Sequence, residues 1–435
     1  MVEKFEVRSL QETYYQTTLK NGLRVVIVPK PHYYKTYAMF TTDYGSIDRT
    51  FRPLGKKETV TVPDGIAHFL EHKMFEEEWG DVFHTFGEQG ASANAYTSFT
   101  KTAYLFSSTQ EIKKNIVTLL DFVQHPYFTK ESVEKEKGII AQEIRMYDDN
   151  PDWEVFFHLL RNLYSDHPVK IDIAGTTESI YEITREDLYM CYETFYHPSN
   201  MMLVIVGNVD VDEMMALVRE NQEKKSFPKA EPLERIIPTE QKEAVRANTT
   251  KRMSVNTPQC LIGWKIAPPN DTGKELLAYE LKMDMLLEAI FGPGAGHYEK
   301  LYEEGLIDDS FAFEFTMDRT FSFISVGGDT PQPVKLEERI GEIVQQVKEN
   351  GIPKKDLERV RKKMIGSFLK KFNSLEFIAN QYTRYAFSGM NIFDVVPILE
   401  NMDVTDVLEL LHDVFDPSTK SSSYIVPKKS EEENE

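Results

Sequence analysis

His68 and His72 stand four residues apart, with Glu71 directly before the second, in the run HFLEHKMFEEE that begins at residue 68. Residues four apart on a helix share a face, so both imidazoles point the same way and can grip one ion. Neutral imidazole suits zinc. Glu71 falls about 100° around the helix from His72, beside the pair, where a carboxylate can take the proton of a metal-bound water. The order H-x-x-E-H inverts the commoner H-E-x-x-H and occurs among zinc peptidases. The competing reading is two incidental histidines with a chance glutamate. The apolar setting of Ile66, Ala67, Phe69, Leu70, Met74 and Phe75 weighs against it, because buried ionisable groups without partners are costly and a metal removes that cost.

A catalytic zinc takes three protein ligands and leaves a fourth position for water. The third ligand should be a His, Asp or Glu. In TKESVEKEKGIIAQEIRMYDD (129–149), Val133, Ile140, Ile144 and Tyr147 mark an apolar stripe at helical spacing. Glu136 and Glu143, seven apart, fall on or beside it. Acids on a face that should be buried need a cation. Ordinary surface glutamates remain the alternative at this point, since Glu131 and Glu134 share the segment.

The elements that must position these groups read as follows. Residues 18–50 are expected to form paired strands around an Asn-Gly break. Pro63-Asp64-Gly65 is turn chemistry ahead of the helix IAHFLEHKMFEE. QGASANAYTSFTKTAYLFSS (89–108) should give two strands, 112–124 and 129–149 two helices, and 186–196 another. MMLVIVGNV (201–209) reads as a short buried strand. Residues 223–250 carry Pro and charge with no sustained apolar period and read as a linker. After it the order strand, long helix, strands, helix, helix repeats the first half. The predicted organisation is a first domain over 1–222, the linker, a homologous second domain over 251–428, and a mobile charged tail over 429–435.

Composition narrows the function. The chain has 435 residues and 70 acids against 50 bases, a net charge of −20. That argues against nucleic acid as the main partner, because phosphate binding needs clustered Lys and Arg. Cys191 and Cys260 lack metal-site spacing, so neither a disulfide framework nor a thiolate metal site is expected. No signal-like or membrane-spanning stretch stands out, and a cytoplasmic location is expected.

DGIAHFLEHKMF, GASANAYTSFTKTAYLF and EKEKGIIAQEIRMYDDNPD, in this order and spacing, resemble the M16 metallopeptidases, most closely their short bacterial YmfH-like members. With the duplication, the resemblance covers nearly the whole chain. It implies an α+β fold of two duplicated α/β domains of the LuxS/MPP-like metallohydrolase type, each a mainly antiparallel sheet packed with helices. It implies zinc held by His68, His72 and Glu143, Glu71 as general base, Glu136 as a supporting catalytic glutamate, and Asn94 and Ala95 on an edge strand holding the substrate. The activity implied is endopeptidase cleavage of extended peptides in an enclosed chamber. The alternatives are a non-catalytic M16-like scaffold and, from a different class, a metal-assisted isomerase with a similar inverted motif on a related fold. The duplication speaks against the isomerase.

The second copy lacks the ligands. Aligning TKESVEKEKGIIAQE with PKKDLERVRKKMIGS sets Ser367 opposite Glu143 and Val360 opposite Glu136. His297 stands alone in a loop. The family's second half often supplies an Arg–Tyr pair, in two-chain members across a dimer. FEFTMDRTFSF (313–323) holds Arg319 and no tyrosine. This departure implies a homo- or heterodimer in which a second M16-like chain completes the site.

Overall fold

A computed structural model describes residues 2–428; the expected tail, 429–435, lies outside the described residues. The chain divides into two compact units. The first holds Met1–Ile144, Asp172–Ile237 and Leu369–Phe387; the second holds Arg145–Ile171, Pro238–Phe368 and Ser388–Glu435.

The first unit is built on a seven-stranded sheet. Its strands are β1 (Glu3–Val7), β2 (Glu12–Thr18), β3 (Arg24–Pro29), β4 (Thr36–Thr42), β5 (Ala91–Thr97), β6 (Thr102–Ser108) and β7 (Met201–Gly207), in the spatial order β1-β2-β3-β7-β4-β6-β5. The Asn21-Gly22 break turns β2 into β3, with Gly22 at φ +93° as the turn requires. The strands read from 18–50 are therefore not each other's neighbours throughout. Between β3 and β4 runs β7, parallel to the first and antiparallel to the second. All seven residues of β7 are buried, and a strand covered on both faces belongs at the centre of a sheet. At one end of the sheet, among the described residues, β5 pairs only with β6.

Four helices of the first half matter to the site or the organisation: α1 (Ile66–Lys73), α2 (Ile112–Val123), α3 (Lys130–Asp148) and α4 (Pro151–Leu163). The second and third match the expected spans to within a residue at each end; the first starts as expected but stops at Lys73, because Glu76–Glu77 leaves the helix to pair as a short strand with Gly80–Asp81. The fourth was hidden, because Asp148-Asp149-Asn150-Pro151 reads as punctuation. It is also a helix start: Asn150 caps the N–H groups of Asp152 and Trp153, and Pro151 sits at the first helical position.

The second unit has a five-stranded sheet of β8 (Asn248–Met253), β9 (Gln259–Ile266), β10 (Ala312–Met317), β11 (Ser322–Asp329) and β12 (Lys420–Pro427), in the order β8-β12-β9-β11-β10. With it come α5 (Gly273–Phe291), α6 (Pro333–Asn350) and α7 (Lys354–Lys371). Val360 is buried in α7 and Ser367 is exposed on it, so no ligand set stands at the positions opposite Glu136 and Glu143. Arg319 lies in the β10–β11 connection.

The units trade segments. Helix α4, from the first half of the sequence, packs on β8, β9 and β12 of the second unit. Helix α8 (Leu375–Phe387), from the second half, packs on β4 and β7 of the first. A division at 222 and 251 follows the chain; the compact units do not. The stretch 223–250 is also only partly a connector. Glu234–Arg235 pairs with Thr50–Arg52, and the Arg235 guanidinium forms an ion pair with the buried Asp48 at 2.9 Å.

No helix among the described residues is long and apolar enough to cross a membrane.

Candidate metal centre

Helix α1 has only two turns, too few to be stable alone in water. Burial of Ile66, Ala67, Phe69 and Leu70 holds it, each large apolar side chain contributing about 1.5–3 kcal/mol. Its start is fixed by Gly65, at φ +87°, where an added Cβ would meet the Ala174 carbonyl oxygen at 2.3 Å. The expected turn is thus a position that only glycine can fill. With one face sunk into the core, His68 and His72 emerge together on another, ring centroids 4.6 Å apart.

Helix α3 buries Val133, Ile140 and Ile144 and turns Glu136 and Glu143 toward α1. His68 Nε2 lies 3.7 Å from Glu143 Oε1, and His72 Nε2 lies 3.5 Å from Glu143 Oε2. One ligand atom from each of His68, His72 and Glu143 lies within 4.8 Å of the other two. Donors bound tetrahedrally at 2.0–2.1 Å are about 3.4 Å apart; each imidazole is near that distance from one Glu143 oxygen, and the set as a whole would draw together to close on one ion. Glu136 takes no place in that triangle. Its Oε1 is 3.0 Å from His72 Nδ1, a contact that in the neutral ring favours the proton on Nδ1 and leaves Nε2 as the ligating nitrogen.

The electrostatics agree with a cation site. Burial, reinforced by the charge on His72, lowers His68 to about 3, so its ring is neutral, the form that ligates. For His72, burial alone would lower the value; the bond to Glu136 and the charges of Glu71, Glu143 and Glu136 outweigh it and raise it. Burial likewise opposes ionisation of Glu136, yet the bond from His72 and nearby cations, Lys73 among them, lower it. Burial raises Glu71 to about 7, against the bond from Thr97 and the charge of His72. A divalent cation held beside Glu71 would pull that value back down. A desolvated neutral imidazole, 3.7 Å from a carboxylate with no hydrogen bond between them, fits a zinc ligand set better than a proton-sharing network.

All seven expected residues fall in the first unit. His68, His72 and Glu143 converge, Glu136 stands behind His72, and Glu71 sits beside the set. Asn94 and Ala95 lie on β5 at the open sheet edge, against which α1 packs. Asn94 is exposed and its Oδ1 accepts from the Ala95 N–H at 2.9 Å.

Three further groups were missed in the sequence pattern. Thr97, on β5, donates to Glu71 Oε2 at 2.6 Å. Lys73, wholly buried, pairs with Glu76. Asn380, on α8, accepts from the Tyr96 hydroxyl at 2.7 Å. Each bond spans elements whose proximity no local spacing reveals, except the Lys73–Glu76 pair at i,i+3.

Residues 59–177, which contain every one of the seven, match the family model for insulinase (peptidase family M16), and residues 182–364 match that for the peptidase M16 inactive domain. Over 428 residues the chain is 53% identical to the uncharacterized zinc protease YmfH of Bacillus subtilis strain 168, covering 98% of this chain and 100% of that protein. The chain belongs to peptidase family M16. A putative M16-like peptidase from Alicyclobacillus acidocaldarius has the same fold at a TM-score of 0.93 and 43% identity, over 96% of this chain and 99% of that one. A protease from Helicobacter pylori shares the M16 fold at a TM-score of 0.80 and 20% identity, over 95% of this chain and 99% of that one. The α+β fold in two duplicated parts is thus that of M16 proteins.

Proposed function

We propose that this M16 protein is a zinc-dependent endopeptidase of the inverted H-x-x-E-H type that cleaves extended peptides in an enclosed chamber. The observation that supports it is the convergence of His68, His72 and Glu143 within 4.8 Å, with Glu71 alongside. The zinc-protease names of its relatives point the same way.

Bound zinc would lower the pKa of a coordinated water and polarise the scissile carbonyl. The chain's own residues do the rest. Glu71 takes the water proton and passes it to the leaving amine. Glu136 keeps the His72 ring oriented. The edge of β5 near Asn94 and Ala95 accepts the substrate as an added strand, so main-chain bonds hold it and side-chain pockets select it. An edge of this kind favours unfolded segments. A second M16-like chain, in a homo- or heterodimer, supplies substrate-holding groups that the β10–β11 stretch with Arg319 lacks.

The test is metal analysis of the purified protein, followed by cleavage of quenched extended peptides, alone and with any partner recovered from the native cell. Stoichiometric zinc with chelator-sensitive cleavage is expected. Zinc-free protein with no ability to bind the ion, or zinc-loaded protein inert with its partner, overturns the reading and leaves a scaffold.

A further inference from the structure

Thr97 closes β5, and its hydroxyl donates to Glu71 Oε2 at 2.6 Å, a short charge-assisted bond. Among the described residues no other side chain hydrogen-bonds that carboxylate, which is buried. Thr97 is itself well fixed. It sits opposite Thr102 in the β5–β6 register, and the two hydroxyl oxygens are 3.4 Å apart. Thr102 in turn donates to the Tyr44 carbonyl at 2.9 Å. A β-branched side chain on a paired strand has little rotamer freedom. Glu71 is therefore fastened to a sheet and not to a loop.

We propose that Thr97 is a positioning residue: its hydroxyl occupies one oxygen of Glu71 and fixes the carboxylate plane, leaving the other oxygen for the reacting water. Asn94, Ala95 and Thr97 lie on one strand. A peptide added to that edge and the base that serves it are thereby indexed to the same backbone. Orientation of this kind acts on turnover more than on binding, because the proton transfer is sensitive to sub-ångström placement. The catalytic half of this inference rests on the peptidase reading; the fastening of Glu71 by Thr97 does not.

Two variants separate a positioning role from a packing role. Thr97→Val keeps the shape and removes the hydroxyl; Thr97→Ser keeps the hydroxyl and trims a methyl. With zinc content unchanged, Thr97→Val should lower kcat at least about tenfold and leave KM within about twofold, and Thr97→Ser should recover most of the loss. On chelator-stripped protein, Thr97→Val should lower Tm when Glu71 is present and have no such effect in a Glu71→Leu background. Wild-type kcat in Thr97→Val, equal damage from Val and Ser, or an equal Tm shift in both backgrounds overturns the proposal. If wild-type protein cleaves no peptide, the peptidase reading falls, and the Tm coupling alone decides whether Thr97 holds Glu71.

Discussion

Glu136 Oε1 stands 3.0 Å from His72 Nδ1, on the side of the ring away from the Nε2 that faces Glu143. One helix therefore supplies both a candidate ligand and the group that bonds the ring of another candidate. Seven residues put the two acids two turns apart on one face, with His72 between them.

Glu136→Gln should weaken zinc binding about 10–100-fold, because the amide can accept the His72 proton and carries no charge to strengthen the imidazole. Glu143→Gln should weaken it further, since a ligand itself is lost. Competition against a chromogenic chelator measures both. Equal affinity in wild type and Glu136→Gln would remove Glu136 from the site.

Glu71→Gln should keep zinc and lose turnover by about 10²–10⁴-fold, the range for a general base. The amide still accepts from Thr97, so the fold and the ion are retained while the proton acceptor is gone. Metal content and peptide cleavage, read on the same sample, check this. Normal cleavage by the variant would reassign the base.

The first unit needs α8 from the far end of the chain. Ile378, Ala379, Tyr382 and Tyr385 are among its buried residues, and Asn380 holds Tyr96 one residue from Thr97. A fragment of residues 1–237 should therefore expose apolar sheet and lack a cooperative transition. A synthetic peptide of residues 369–387 should restore one. Cooperative melting of the fragment alone contradicts this. In the full chain, Asn380→Ala should lower kcat/KM about 3–10-fold with zinc retained, through a loosened β5.

Glu240 provides a pH test in the second unit. Its carboxylate accepts from the N–H groups of Ser165, Asp166 and His167 and pairs with Lys265. Against the cost of burial, these bonds lower it from 4.5 to about 2. A value depressed in the folded state gives stability that is present above about 4.5 and is lost as the pH falls toward 2. Glu240→Gln should cost about 1–3 kcal/mol at pH 7, and the gap to wild type should narrow steadily below pH 4.5. Urea unfolding between pH 3 and 7 measures it; a gap that widens in acid contradicts the assignment.

Much of the site was legible because it is local. His68, Glu71 and His72 are set by one helix period, and Glu136 and Glu143 by another, so spacing alone places each group on its face. The Pro63-Asp64-Gly65 turn was legible for a similar reason: its backbone demand is met within a few residues. The repeat of element order pointed to the duplication, and the missing histidines in the second copy pointed to the first half as the place of the candidate ligands.

What the tertiary structure decided is non-local. Nothing in MMLVIVGNV says that it runs between β3 and β4, and nothing in NQYTRYAF says that Asn380 holds Tyr96. The exchange of α4 and α8 between the units is invisible along the chain. A helix's apolar face records that it must be covered and not by what, since hydrophobic burial carries no direction and many partners satisfy it equally. Thr97 is the sharpest case: period two puts its side chain on one face of a strand, but only the packing of α1 against that strand brings Glu71 to its hydroxyl.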